Sequence, residues 1–473
     1  MISVSACFLQ GVPFVVITQD NVGEVNMSQQ TRCTSKGSSD KTATASLAML
    51  MLLTLLATAA GGGVYSSKVL LVSMDGFRWD YIHKVKGLGN FSRLVDSGSC
   101  VDHVNPAFAT VTFPLHYTMV TGLYEESHGV VANNMYDLDS NTAFTLTYSG
   151  PDTNASLWWE GAEPIWVSAV KAGLKAGTIF WPGCDVENHG SRPTSWLAYG
   201  GKMTYEDRIR TAVDWLHEQN MQFVALYFDE PDTTGHTYGP FAKQTADKVR
   251  EMDGVLGLIL ESLDAAGLGD DVNVIVTSDH GMADVNLEKK MINLYDKVDR
   301  SLVQRVPDSG PVTAIMPVAG REDDVMAALR KVDHLTAYRK EDIPERYHYT
   351  DHRRIMPIIV IADEGWELAA DPKAFLDWGA KGDHGYDNEL SSMKPIFFAR
   401  GPNFRKGAHT TAISSVDIYP LLCELLGIEP KPHNGSLDAT RAFLQQSQTS
   451  SSTGLPCGLH LLFCVVLSVT LCI

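Results

Sequence analysis

Lys68-Val-Leu-Leu-Val-Ser-Met74, running straight into Asp75-Gly76-Phe77-Arg78, is the stretch on which the fold turns. Its apolar residues do not alternate with polar ones, which is the pattern of a strand buried on both faces. Similar runs recur at Ala176 to Trp181, Gln222 to Phe228, Val272 to Thr277 and Pro395 to Ala399. Helical periodicity separates them. Val249, Met252, Leu256, Ile259, Leu260 and Leu263 share one face of a long helix after Gly239-Pro240, and Tyr205 to Gln219 and Ser415 to Leu426 read as two more. Buried strands alternating with helices predict an α/β sandwich around a mostly parallel sheet. Neither an internal repeat nor a long linker breaks the chain between Val64 and Thr440. One domain with insertions, spanning 61–440, is therefore expected.

Sheets of this kind gather ligands at the carboxyl ends of their strands. Directly after three of the runs come Asp75, the segment Asp229 to His236, and Asp279-His280. Asp75-Gly76 alone reads more readily as a turn. Asp232-Thr-Thr-Gly-His236 sets a carboxylate and an imidazole four residues apart, able to face one way and grip one cation, although such pairs also occur on solvated loops. Asp279-His280 after Val-Ile-Val-Thr has little structural purpose. His384-Gly385-Tyr386-Asp387 adds a third imidazole, in a setting that equally suits a surface histidine.

Three aspartates and three histidines without thiolates suit zinc better than magnesium or calcium. Six ligands exceed one tetrahedral ion and suffice for two, and paired ions serve in-line phosphoryl displacement. A nucleophile candidate lies in Ala109-Thr110-Val111-Thr112-Phe113-Pro114. The residues themselves do not choose between Thr110 and Thr112, and threonines are common in plain strands.

Further stretches carry a resemblance. Thr112-Phe-Pro-Leu-His-Tyr117, Val120-Thr-Gly-Leu-Tyr124, His128-Gly129 and Asn133-Asn-Met-Tyr-Asp137 come first. Trp181-Pro-Gly183, Glu230-Pro-Asp-Thr-Thr-Gly-His236, Tyr238-Gly-Pro240, Ser278-Asp-His-Gly-Met282 and His384-Gly-Tyr-Asp-Asn388 complete the series. In this order they resemble the ectonucleotide pyrophosphatase/phosphodiesterase family of the alkaline phosphatase superfamily, from about Lys68 to Ser436. The short, membrane-anchored members fit this length. Tyr338 to Tyr349 and Ala362-Asp-Glu-Gly-Trp366 look most like members four and five. The resemblance implies an alkaline-phosphatase-like three-layer sandwich and two zinc ions. One ion would be held by Asp232, His236 and His384, the other by Asp75, Asp279 and His280. It also implies Thr112 as the attacking residue, facing both ions, and Asn133 as a side chain that stabilises the phosphate oxygens. His116 and His128 are left as structural or outer-shell groups, and Glu125 and Glu126 read as solvated charges.

Substrate is read from the aromatics. Phe113 beside the nucleophile, with Trp196 and Tyr199, could sandwich a base; the same rings with Asp185 and Glu187 could instead enclose a quaternary ammonium. A nucleotide or small phosphodiester is thus expected, with a choline phosphodiester as the alternative. A sulfatase would need a Cys/Ser-x-Pro-x-Arg context that Thr112-Phe-Pro-Leu-His116 does not supply. The family cleaves diesters, which argues against a phosphomonoesterase. An inactive surface adhesion protein would be expected to have lost a ligand or the nucleophile.

The formal net charge of −18 is spread along the chain and disfavours a nucleic-acid duplex as partner. Ala45 to Ala60 is a leucine-rich run ending in Ala57-Thr58-Ala59, a signal-peptidase pattern, so 1–60 reads as leader and signal segment. The residues before that run look irregular and are set aside. Ser447 to Thr453 is a small, polar spacer, and Leu461 to Ile473 is an apolar tail shorter than the roughly 20 residues of a membrane helix. Together, within 441–473, they read as a signal for a GPI anchor. Sequons at Asn90, Asn154 and Asn434 agree with the extracellular face of the plasma membrane. Of eight cysteines only Cys100, Cys184 and Cys423 fall in the mature domain, allowing at most one internal disulfide.

Overall fold

The computed structural model describes residues 2–9, 12–19, 67–146, 155–200 and 202–445. Eight strands form the main sheet: β1 (Lys68–Met74), β2 (Ser99–Asn105), β3 (Ala176–Ile179), β4 (Ser195–Leu197), β5 (Phe223–Phe228), β6 (Val272–Thr277), β7 (Phe397–Arg400) and β8 (Ala408–Ser414). Their order is β8-β2-β7-β6-β1-β5-β3-β4, and β7 alone runs against the rest. The sheet is therefore mostly parallel, as the unbroken apolar runs require. All six residues of β5 and of β6 are buried, as are Val69 to Met74 of β1. Each such aliphatic side chain contributes about 1.5–3 kcal/mol by leaving water.

The helices that concern the site are α1 (Thr112–Thr121), α2 (Tyr205–His217), α3 (Asp232–Tyr238), α4 (Lys243–Ala265), α5 (Pro372–Trp378) and α6 (Ile418–Leu426). The apolar stripe expected on α4 is buried in full. Thr204 caps α2 by accepting a hydrogen bond from the Asp207 amide at 3.1 Å. Between β6 and β7 the chain builds a second sheet of four antiparallel strands, Val303–Asp308, Val312–Pro317, Leu335–Arg339 and Ile358–Ala362, with its own core around Leu294, Ile315, Leu329 and Ile358. This is the principal insertion.

Two readings change. Glu125 is fully buried, not solvated; burial pushes its carboxyl well up. Glu126 is engaged as well, accepting from the Thr350 amide at 2.7 Å. All three cysteines of the domain are buried and free, so no disulfide joins them. In the segment set aside at the N-terminus, Ile2–Leu9 and Val12–Gln19 pair as an antiparallel hairpin.

The Asn90 amide donates to the Asp253 carbonyl at 2.9 Å, whereas Asn434 is exposed. The signal-like run, the sequon at Asn154, the polar spacer and the C-terminal tail lie outside the described residues. Among the described residues no helix is long and apolar enough to cross a membrane.

Candidate active site

β6, β1 and β5 are adjacent and parallel, so their carboxyl ends deliver Asp279-His280, Asp75 and the Asp229–His236 segment to one edge. Beyond β5 the chain enters α3, which puts Asp232 and His236 one turn apart on the same face. α3 can come this close because residue 76 is glycine. Gly76 has φ +64, and a Cβ there would lie 2.8 Å from the Asp232 Cα. The Asp232 amide donates to the Asp75 carbonyl at 3.0 Å across this contact.

Six side chains converge as two groups, Asp232 with His236 and His384, and Asp75 with Asp279 and His280. Within each group the candidate ligand atoms all lie within 4.8 Å of one another. The groups adjoin, for the His280 and His384 rings stack with centroids 3.5 Å apart. Every imidazole is held from behind. Nδ1 of His236 donates to the Gly382 carbonyl at 2.8 Å, that of His280 to Gly281 at 2.9 Å, and that of His384 to Thr110 at 2.8 Å. A carbonyl only accepts, so Nδ1 carries the proton and the Nε2 lone pair is turned inward. Asp75 Oδ1, Asp232 Oδ1 and Asp279 Oδ2 are buried without a hydrogen-bond donor.

The electrostatics of the bare cluster are strained. Burial, then the charges of Asp279 and Asp232, push the Asp75 carboxyl well above its ordinary value. Burial likewise raises Asp232, and burial with the neighbouring His280 and His236 drives His384 well down. Asp279 runs the other way: burial would raise it, but His280 and His116 hold it below the carboxylate range. Inward lone pairs and unpaired carboxylate oxygens, crowded and without thiolates, are the donor set of a site for divalent cations. The residues fit two such ions.

Thr112 opens α1 beside this cluster, its Oγ1 3.4 Å from His280 Nε2. The two threonines separate here. Thr110 is fully buried, with Oγ1 donating to the Tyr386 carbonyl at 2.9 Å, whereas Thr112 is half-buried and lines the open cleft. Asn133 Oδ1 accepts from the Phe113 amide at 2.9 Å, which fixes the orientation of the side chain and leaves its NH₂ as a donor. His116, one turn along α1, donates through Nδ1 to the Thr112 carbonyl at 2.8 Å; its Nε2 is 2.8 Å from Ser73 Oγ. It buttresses the turn that carries Thr112. His128 lies elsewhere, between Thr118 Oγ1 and the Val130 amide.

Two lobes open from this point, sharing Thr112, Leu146, Asp232 and Thr233. The first, about 170 Å³, is aromatic: Phe113, Trp159, Phe180, Trp181, Tyr199 and Tyr227 line it together with Asp185 and Asp229. The second, about 410 Å³, is walled by Asn133, Asn134, Asp308 and Ser309 on one side and by Phe375 and Trp378 of α5 on the other. Phe113, Asp185 and Tyr199 are thus brought together as expected, and Trp196 and Glu187 are not. Trp196 sits on the edge strand β4, 38% exposed, with the Arg192 guanidinium 5.3 Å from its ring. Trp159 lines the first lobe instead, its ring 5.9 Å from that of Phe113. Neither Trp159 nor Tyr227, which donates to Asp75 Oδ2 at 2.6 Å, stood out in the sequence. Trp159 comes directly after Trp158 in a segment with no periodic signal.

A mostly parallel sheet that brings acidic and imidazole side chains to one edge, beside a helix-borne hydroxyl, defines an alkaline-phosphatase-like fold. Solved structures carry the same fold. Murine ectonucleotide pyrophosphatase/phosphodiesterase 5, in an inactive threonine-to-alanine form complexed with AMP, superimposes with a TM-score of 0.77 at 41% identity, over 80% of this chain and 100% of that one. Its human counterpart gives 0.77 at 41% identity with the same coverage. In sequence, the human family member 5 is 42% identical over 78% of this chain and 76% of its own length. The bis(5′-adenosyl)-triphosphatase of Mus musculus is 42% identical over 80% of this chain and 81% of its own. Residues 69–387 match the type I phosphodiesterase / nucleotide pyrophosphatase family, and the chain belongs to it.

Proposed function

We propose that the protein is a zinc-dependent nucleotide phosphodiesterase that works through a covalent intermediate on Thr112. The observation that carries this is the aromatic lobe opening directly onto Thr112 and the six-residue cluster. The murine relative binds AMP in a form whose threonine is replaced by alanine, and another relative is a bis(5′-adenosyl)-triphosphatase, which supports a nucleotide with an adenosine 5′-phosphoryl group.

When bound, two zinc ions would lower the pKa of the attacking hydroxyl and neutralise charge on the phosphoryl oxygens. The chain does the rest. A base enters between the rings of the first lobe, which orients its 5′-phosphoryl group toward Thr112. The hydroxyl gives its proton to solvent, and the Thr112 Oγ–P bond forms as the bond from phosphorus to the leaving oxygen breaks. The Asn133 NH₂ donates to a phosphoryl oxygen that gains charge in the transition state. Water then cleaves the Thr112 ester and a nucleoside 5′-monophosphate departs.

Assay of purified protein on diadenosine triphosphate, ATP, glycerophosphocholine and sphingomyelin tests the reading. Nucleotides are expected to turn over far faster; the reverse would assign Asp185 and the surrounding rings to a choline headgroup instead. Phe113→Ala is expected to raise KM for nucleotides roughly tenfold, the effect of one base–aromatic stack. Trp196→Ala is expected to change it less than twofold, because that ring lies outside the lobe. Equal effects of the two substitutions would sink the placement of the base.

We also infer display on the outer cell surface through a GPI anchor, from the sequence pattern of 441–473 and the exposed sequon at Asn434. Treatment of intact cells with phosphatidylinositol-specific phospholipase is expected to release the activity. Retention, with the apolar tail still present by mass spectrometry, would point to a membrane helix.

A further inference from the structure

α5 is short and exposes two of its three large apolar residues; Phe375 alone turns partly inward. Leu376 is 46% and Trp378 52% exposed, although tryptophan is a highly buried residue in most proteins. The helix is nevertheless well anchored. Asp371 caps it by accepting from the Lys373 amide at 3.1 Å, Pro372 occupies its first turn, and Gly379 ends it at φ +69. Just beyond, the Lys381 amide donates to the His236 carbonyl at 2.7 Å, tying the segment to α3. Trp378 is thereby placed with its ring centroid 4.9 Å from that of His236, on the wall of the second lobe.

The opposite wall is polar. Asn134 Nδ2 and the Ser309 amide both donate to Asp308 Oδ1 at 3.1 Å. Among the described lining residues of this lobe there is no lysine or arginine, while Asp308 and Asp383 contribute carboxyl groups. Apart from a cation at Asp232, His236 and His384, such a lobe has no positive charge with which to hold a polyphosphate. Beyond that cation its affinity must come from a flat apolar surface and from hydrogen bonds to neutral groups, which together describe a nucleoside at the outer end of the lobe.

We propose that Trp378 is a stacking platform for the ring system of the leaving group, so that the protein selects dinucleoside polyphosphates over nucleoside triphosphates by the half that departs. The inference rests on the nucleotide reading above and adds a second base site to it. For diadenosine triphosphate, one adenosine 5′-phosphoryl group remains on Thr112 while ADP leaves through the second lobe with its adenine against Trp378. For ATP the departing group is pyrophosphate, which offers Trp378 nothing to stack on.

The test compares kcat/KM for diadenosine triphosphate and for ATP in zinc-loaded wild-type protein, Trp378→Ala and Trp378→Phe. The preference for the dinucleotide is expected to fall about tenfold in Trp378→Ala, mainly through KM, and to be largely kept in Trp378→Phe. ADP is expected to lose potency as a product inhibitor in Trp378→Ala, while pyrophosphate does not. An unchanged preference overturns the platform. So does an equal fall on both substrates accompanied by lower zinc content, which would make the ring a cover for His236. Wild-type protein that cleaves neither compound overturns the nucleotide reading and this inference with it; wild-type activity on both with an unchanged ratio in the variant overturns the platform alone.

Discussion

Thr112→Ala is expected to lower kcat by roughly four orders of magnitude or more while leaving the thermal unfolding midpoint and the zinc content near those of the wild type. The side chain is half-buried at the mouth of the cleft, and its one polar contact is with His280 at 3.4 Å, so few native contacts are lost with it. Thr110→Ala should behave differently. The Thr110 hydroxyl accepts from the buried Gly385 amide at 3.1 Å and donates to the Tyr386 carbonyl, and it steadies the loop that carries His384. Its loss orphans a buried N–H, at a cost of about 1–3 kcal/mol, and loosens one candidate metal ligand. The Thr110 variant should therefore show a lower unfolding midpoint and weaker zinc retention, with activity recovered by added zinc. Zinc should not rescue Thr112→Ala. Comparable, zinc-insensitive losses in both variants would remove Thr112 from its role.

Chelation should have the second largest effect. Stripping the protein of metal is expected to abolish turnover and lower the unfolding midpoint, and two equivalents of zinc per chain should restore both. Three buried carboxylate oxygens face one another without donors, so the apo state keeps an unfavourable charge cluster that cations relieve. At free zinc a thousandfold above Kd, each site would add about 4 kcal/mol to stability. Calorimetry of apo and reloaded protein, with elemental analysis, reads this directly. Purified protein that contains no transition metal and is indifferent to chelators would leave the six residues without a cofactor.

The central strands were legible because a strand covered on both faces must be apolar throughout, and β1, β5 and β6 are. The Asp and His residues at their carboxyl ends were legible for the same reason, since a parallel sheet places those ends together. Strands without that signature stayed hidden. β4 has three residues on an edge, β2 reads Ser-Cys-Val-Asp-His-Val-Asn, and the sheet of the insertion is half-exposed along Val303–Asp308. The choice between Thr110 and Thr112 was open to pattern because both are threonines two residues apart. Only the start of α1 separates them, burying one and presenting the other. The aromatic lobe was half legible: Phe113 is next to Thr112 in sequence, but Trp159 arrives by tertiary packing. Trp196 was misleading because an edge strand turns its alternate side chains outward.

One face of the second sheet has its own hydrophobic core, around Ile315, Ile358 and Val360, while Ile359 and Ile361 on the other face join the core that supports β1, β5 and β6. The sheet also supplies Asp308, Ser309 and Val312 to the second lobe and nothing to the first. The outer wall of the second lobe thus rests partly on packing that the first lobe does not share. Substitutions around Ile315 and Ile358 are answered by the insertion's own packing, whereas those at Ile359 or Ile361 reach the main core as well. A lineage with this arrangement can vary that wall from one face of the insertion while the edge that carries Asp75, Asp279 and His280 stays as it is.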